Sequence, residues 1–218
     1  MEGGDLRYTF RFFHVVSPIS RLMTYTFVVL VATGGLTLVF RPDDGVSAIV
    51  PVLVMQAFSA ATGFASAARR GYFDLLIARG SPRLQIAVVQ WLTSIAPGVA
   101  SCVLLVLIDA AAHGRAAHVT AGGTVVSLLM ASTIPWSLTV ALPRFSGTIG
   151  WLLLMCVGSV TASTWPPALR AIVFPLPLVG AALDSAGTAT AVLGLSLASM
   201  AIALAWVHRT DIPLEAAQ

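Results

Sequence analysis

Four histidines, two cysteines and nine carboxylates are the residues available for acid–base, nucleophilic or metal chemistry. Their spacing assembles none of it. His14, His113, His118 and His208 fall at the ends of apolar runs and in polar breaks, and no H-E-x-x-H occurs. Asp109, His113, Arg115 and His118 lie close together around the break HGRAAH, and are read as solvated loop residues. Asp109 and Asp184 sit near run ends, where a carboxylate reaches water. No ionisable residue falls near the middle of an apolar run, as a proton or ion relay would require. Cys102 and Cys156 lie inside apolar runs and read as small packing residues. There is no G-x-x-x-x-G-K-[S/T] loop and no lysine to grip a phosphate, so ATP chemistry is not expected on this chain. An integral membrane enzyme is therefore the weakest reading, and no metal or cofactor is expected here.

One stretch has patterned chemistry of another kind. RRGYFDLLIARGSPR, from Arg69 to Arg83, holds four of the twelve arginines between two long apolar runs. Read as a helix over 70–80, it places Phe73, Leu76 and Ile77 at i, i+3 and i+4 on one apolar face. Arg70 and Asp74 are four apart and can pair. Gly80, Ser81 and Pro82 end the helix, and Arg83 enters the next run. The segment reads as a short amphipathic helix at a membrane surface. A bare topology-setting loop needs the arginines but not the apolar face.

The elements around it follow from composition. The chain has 218 residues, 57% hydrophobic and 10% charged, with a mean hydropathy of +0.91. A soluble domain carries about a quarter charged residues. The long runs do not alternate as barrel strands do, so the expected class is an all-α polytopic membrane protein, a single transmembrane domain over 1–218. Six transmembrane helices are expected, at 22–40, 48–68, 84–111, 119–142, 148–163 and 188–207. Nine arginines (Arg7, Arg11, Arg21, Arg69, Arg70, Arg79, Arg83, Arg144, Arg209) fall on one side of this arrangement and three (Arg41, Arg115, Arg170) on the other. The positive-inside rule then puts the N- and C-termini in the cytoplasm. No cleaved signal is expected; the first run stays as an anchor.

Two segments are neither spans nor plain loops. Over 5–16, Arg7, Arg11 and His14 share one helical face, and Leu6, Phe10 and Phe13 a neighbouring one. That is an amphipathic N-terminal interfacial helix, with an ordinary positive flank as the alternative. Over 164–187, four prolines break an apolar stretch, which reads as an outer re-entrant segment between spans five and six, with Trp165 at the interface. Small-residue stripes (Ser59, Gly63, Ala67; Ala57, Ala61, Ala65) permit close helix packing, within the chain or between subunits.

The Arg69–Arg83 stretch and its setting resemble the permease subunit of type-2 ABC exporters. That family has six spans, an amphipathic N-terminal helix, outer re-entrant helices between spans five and six, and a cytoplasmic coupling helix between spans two and three. The motif of that helix is roughly Gly-Thr-hydrophobic-Glu-x-Leu-Leu-x-x-Pro-x-Ser-Arg. Here Gly71 falls on its Gly, Asp74 on its acid, Leu76 and Ile77 on its apolar pair and Arg83 on its Arg. Gly80 replaces the Pro, and Arg69 and Arg70 stand where an acid is common. The resemblance implies that Gly71, Phe73, Asp74, Leu76, Ile77 and Arg83 dock on an ATP-binding cassette ATPase subunit, with ATP and Mg on that partner. It implies a second permease chain as well, in a homo- or heterodimer within the cytoplasmic membrane. The expected function is export of an apolar or amphipathic substrate: a drug, a lipid-linked molecule or a small peptide. The other reading is a non-transporting membrane scaffold or assembly protein. Besides these proteins the expected contact is membrane lipid; the charge is too thinly spread for nucleic acid.

Overall fold

The computed structural model describes residues 6–16, 18–41, 45–114, 119, 121–141 and 186–209. All regular structure among them is helical: α1 (Leu6–Val16), α2 (Pro18–Phe40), α3 (Gly45–Arg69), α4 (Tyr72–Ala78), α5 (Arg83–His113), α6 (Ala121–Ala141) and α7 (Ala186–Arg209). Five of these, α2, α3, α5, α6 and α7, are long and apolar enough to cross a bilayer. The chain is a multi-pass helical membrane protein. The expected span 148–163 and positions 164–185 of the re-entrant reading lie outside the described residues; 186 and 187 already belong to α7.

Helix directions follow from which residues meet. The α2–α3 and α5–α6 connections are short, so each pair is antiparallel, and α3 returns through α4 into α5. Phe64 of α3 packs edge-on against Trp136 of α6, with ring centroids 5.8 Å apart, and Leu128 of α6 and Gln56 of α3 both meet Gly98 of α5. Thus α3 and α6 run the same way. Met130 of α6 packs with Val192 of α7, and Ala203 and Val207 of α7 join the cluster of Trp136 and Val140. So α7 is parallel to α6.

Two apolar clusters hold the bundle. One gathers Leu38, Ile49, Leu53, Leu105, Val119 and Leu128 toward the end where α2 gives way to α3. The other gathers Phe13, Phe64, Phe73, Leu76, Ile86, Trp136 and Val207 at the opposite end. The helix α6 lies innermost: nearly every position from Met130 to Val140 is buried. In contrast, α2 and α7 turn Val28, Leu36, Phe40, Leu197 and Ile202 outward, as lipid-facing helices do. Part of each small-residue stripe of α3 packs within the chain, through Ser59 and Ala67 in one and Ala57 and Ala61 in the other. Ala57, Ala60 and Ala61 are fully buried within the chain, and Gly63 admits the Gln90 side chain.

Candidate functional site

The α4 corner is built by two glycines. Gly71 (φ 68°) and Gly80 (φ 84°) adopt the left-handed backbone that other residues resist. Gly71 turns the chain out of α3. At the other end Gly80 N–H donates to Ile77 O (2.8 Å) and Ser81 N–H to Leu76 O (3.1 Å). That pair of bonds is a Schellman stop. Pro82 follows, and its carbonyl accepts the Ile86 N–H at 3.0 Å in the first turn of α5. The helix so framed is seven residues long.

Its apolar face points inward, which corrects the expectation of a surface-lying or partner-facing face. Phe73 is 1% exposed and Leu76 fully buried. Phe73 lies 5.0 Å from Phe64 and 6.3 Å from Phe13, centroid to centroid. Ile77 is half-buried beside them. A short helix joined to the chain at both ends lowers its free energy most by adding its apolar face to the available core. Asp74, Leu75, Ala78 and Arg79 remain exposed, and Arg83 is half-buried at the start of α5. The expected Arg70–Asp74 pair does not form. Arg70 instead donates to the Tyr72 hydroxyl at 3.5 Å, while Asp74 turns back toward Gly71 at the start of the helix.

The helix α1 packs on the same corner. Phe12 meets Tyr72 edge-on at 5.4 Å. The Arg79 guanidinium sits 4.9 Å over the Tyr8 ring and donates to the Tyr8 hydroxyl. Gln85 Nε2 donates to Thr9 Oγ1 at 3.5 Å. Of the apolar face expected for α1, Phe13 is buried against the bundle while Leu6 and Phe10 stay exposed. Eight arginines of the described segments (Arg7, Arg11, Arg21, Arg69, Arg70, Arg79, Arg83, Arg209) lie at this end, against Arg41 at the other.

A second constellation lies deep in the bundle. Gln56 is fully buried, and its Nε2 donates to Ser94 O at 3.1 Å. Gln90 Oε1 accepts the Trp136 indole N–H at 2.7 Å. Gly98, the midpoint of α5, lets Gln56 approach: a Cβ there would come within 2.3 Å of Gln56 Oε1. Pro97 withdraws one backbone donor from α5. Polar side chains cluster around that break: Thr93 donates to Gln90 O, Ser94 to Trp91 O and Ser101 to Pro97 O. Neighbouring helices and hydroxyls make such a proline tolerable in a membrane. Gln56 Oε1, Trp91 Nε1 and Ser137 Oγ are buried without a hydrogen-bond partner among the described residues. The signal in the sequence was two lone glutamines inside apolar runs, "VLVMQAFSA" and "AVVQWLTS".

At the far end, Asp109 corrects another expectation. It does not reach water: it is fully buried, accepts the Val119 N–H at 2.7 Å and pairs with His113 Nδ1 at 2.9 Å. Its carboxylate ties the last turns of α5 to the start of the α6 arm. Positions 115 and 118 of that cluster lie outside the described residues, as does Cys156. Cys102 is buried as expected.

No metal-binding group of three His, Cys, Asp or Glu occurs among the described residues. Comparison of the chain with protein-family models, with curated proteins and with solved structures found no match.

Proposed function

We propose that this chain is the permease subunit of an ATP-driven exporter, moving an apolar or amphipathic molecule across or out of the cell membrane. The observation that carries the reading is the placement of α4. It is a short helix held between two spans at the basic end of a multi-pass bundle, its inner face packed through Phe73 and Phe64 to Trp136 of the central helix. A push on such a helix is transmitted to three spans, because packed interiors deform little. Asp74, Leu75 and Ala78 form the outward strip on which a separate ATPase subunit, carrying ATP and Mg, would dock. Phe73 and Leu76 then transmit the movement rather than touch the partner. A second permease chain would complete the pathway.

Six spans with both termini cytoplasmic fit this reading. The arginine excess at the α4 end supports a cytoplasmic position for it.

The test is purification of the tagged chain in mild detergent from its native host, with mass identification of what accompanies it. A stoichiometric ATP-binding protein, lost on Asp74→Arg with Leu75→Glu, is the expected result. Recovery with only non-nucleotide-binding membrane proteins would overturn it and favour the scaffold reading. The burial of Phe73 and Leu76 speaks for that alternative, since it gives α4 a structural role without any partner.

A further inference from the structure

We propose that the outward strip of α4 docks on an acidic surface of a soluble protein, with Leu75 seated in an apolar hollow and Arg70 and Arg79 each meeting a separate carboxylate at its rim. The inference rests on the docking reading above and gives that partner a surface chemistry. Leu75 is 45% exposed, between Asp74 and Ala78 on the strip, and is the one large apolar side chain that α4 leaves exposed. Arg79 lies one turn beyond it, its backbone N–H on the Leu75 carbonyl at 3.3 Å, so the two side chains are surface neighbours. Arg70 stands at the other end, just before Gly71. Neither guanidinium meets a carboxylate among the described residues. Arg79 donates to the Tyr8 hydroxyl and lies over its ring, and Arg70 donates to the Tyr72 hydroxyl at 3.5 Å. Phe12 braces the Tyr72 ring edge-on. Each guanidinium has five N–H donors, so most remain for a partner. Side chains held in advance lose little freedom on docking.

A protein surface is the occupant because the charges are spread and mixed in sign. The two arginines bracket a seven-residue helix, about 10 Å long, which suits carboxylates dispersed over a broad face and not one small anion. Eight arginines lie at this end, where Asp74 is the lone carboxylate among the described residues. Such a surface repels basic partners and attracts acidic ones. A membrane surface fits less well. Anionic headgroups would face the Asp74 carboxylate in the strip. One leucine is also too little apolar area to hold the helix in hydrocarbon, since Phe73 and Leu76 are committed to the bundle. A protein rim can answer Asp74 with a donor of its own. Arginine beside a small apolar centre is a combination that protein interfaces favour.

The chain has no lysine, so a carbodiimide, which joins an amine to a carboxylate, finds no side-chain amine in it. Arg79→Lys places one beside Leu75 and keeps the charge. Membranes of the native host carrying the tagged variant are treated with carbodiimide, and the linked residues are mapped by mass spectrometry. Arg79→Lys and, separately, Arg70→Lys should each become amide-linked to an Asp or Glu of the same soluble protein. Arg41→Lys, at the opposite end, should give no link to it. Arg79→Glu should lower recovery of that protein about tenfold, through like-charge repulsion at the interface. Raised salt should weaken its recovery with the unaltered chain. The lysine variants decide if the glutamate variant does not fold. No link to another protein, links confined to this chain or to phosphatidylserine, or undiminished recovery with a folded Arg79→Glu variant overturns the proposal. An ATP-binding protein that co-purifies without the links or the charge dependence would overturn the acidic surface and leave the permease reading standing. Links to a soluble protein that binds no nucleotide would do the reverse.

Discussion

Gly98 and Gln56 form the tightest residue-level fit in the bundle, and the fit can be measured. A methyl group at position 98 would meet Gln56 Oε1 at 2.3 Å and Leu128 Cδ1 at 3.0 Å. Gly98→Ala should therefore destabilise the protein by about 1–3 kcal/mol, the usual cost of overpacking. Gly122→Ala, where nothing lies within 4 Å, should be neutral or slightly stabilising, because alanine favours the helix. Thermal unfolding in detergent compares the two. Adding Gln56→Ala to Gly98→Ala should recover part of the loss; simple additivity would show that the contact is not what constrains position 98. Trp136→Phe keeps the ring stack on Phe64 but leaves Gln90 Oε1 without its donor. A loss of about 0.6–2 kcal/mol is expected, the range for interhelical hydrogen bonds in membranes. The lone glutamines were visible in the sequence. Their partners were not, because a bond between residues 46 positions apart is set by helix packing and not by local spacing.

At the scale of elements, α4 is delimited by backbone conformation. Its existence and its stop were legible: Gly80, Ser81 and Pro82 are a helix terminator wherever they occur. The direction of its apolar face was not. Phe73, Leu76 and Ile77 share a face at helical spacing whether that face meets lipid, a partner or the chain's own core. Only the position of Phe64 and Phe13 decides. The Arg70–Asp74 pair failed for a related reason: Arg70 precedes the helix, across the left-handed Gly71, so the i,i+4 geometry does not extend to it. Gly80→Ala tests the framing. With nothing within 4 Å of a Cβ there, its cost is purely conformational, about 1–2 kcal/mol. Gly80→Asn should cost less, since asparagine tolerates the left-handed region better. Equal losses for the two variants would mean that the constraint is space and not φ.

For the whole molecule, the parallel course of α3, α6 and α7 puts their corresponding ends on the same side of the bundle. If the α4 end is cytoplasmic, as proposed, then in a background without native cysteines Arg70→Cys and Arg209→Cys should react with a membrane-impermeant maleimide only after the cytoplasmic face is opened, and Arg41→Cys before. Labelling of positions 41 and 70 from the same side would overturn the assignment. The amino-acid sequence by itself determined the class of molecule and the bounds of the five long apolar helices to within a few residues. These follow from hydropathy, helical period and turn residues, which act over a few neighbours. It did not determine which faces turn inward, that Asp109 is buried on His113 and Val119, or that Gln56 fits against Gly98 while Gln90 holds the Trp136 indole. Tertiary structure decided those, because in an almost wholly apolar chain each helix has several greasy faces of similar composition. What distinguishes them is steric fit and a few long-range hydrogen bonds, and both exist only once the helices are packed.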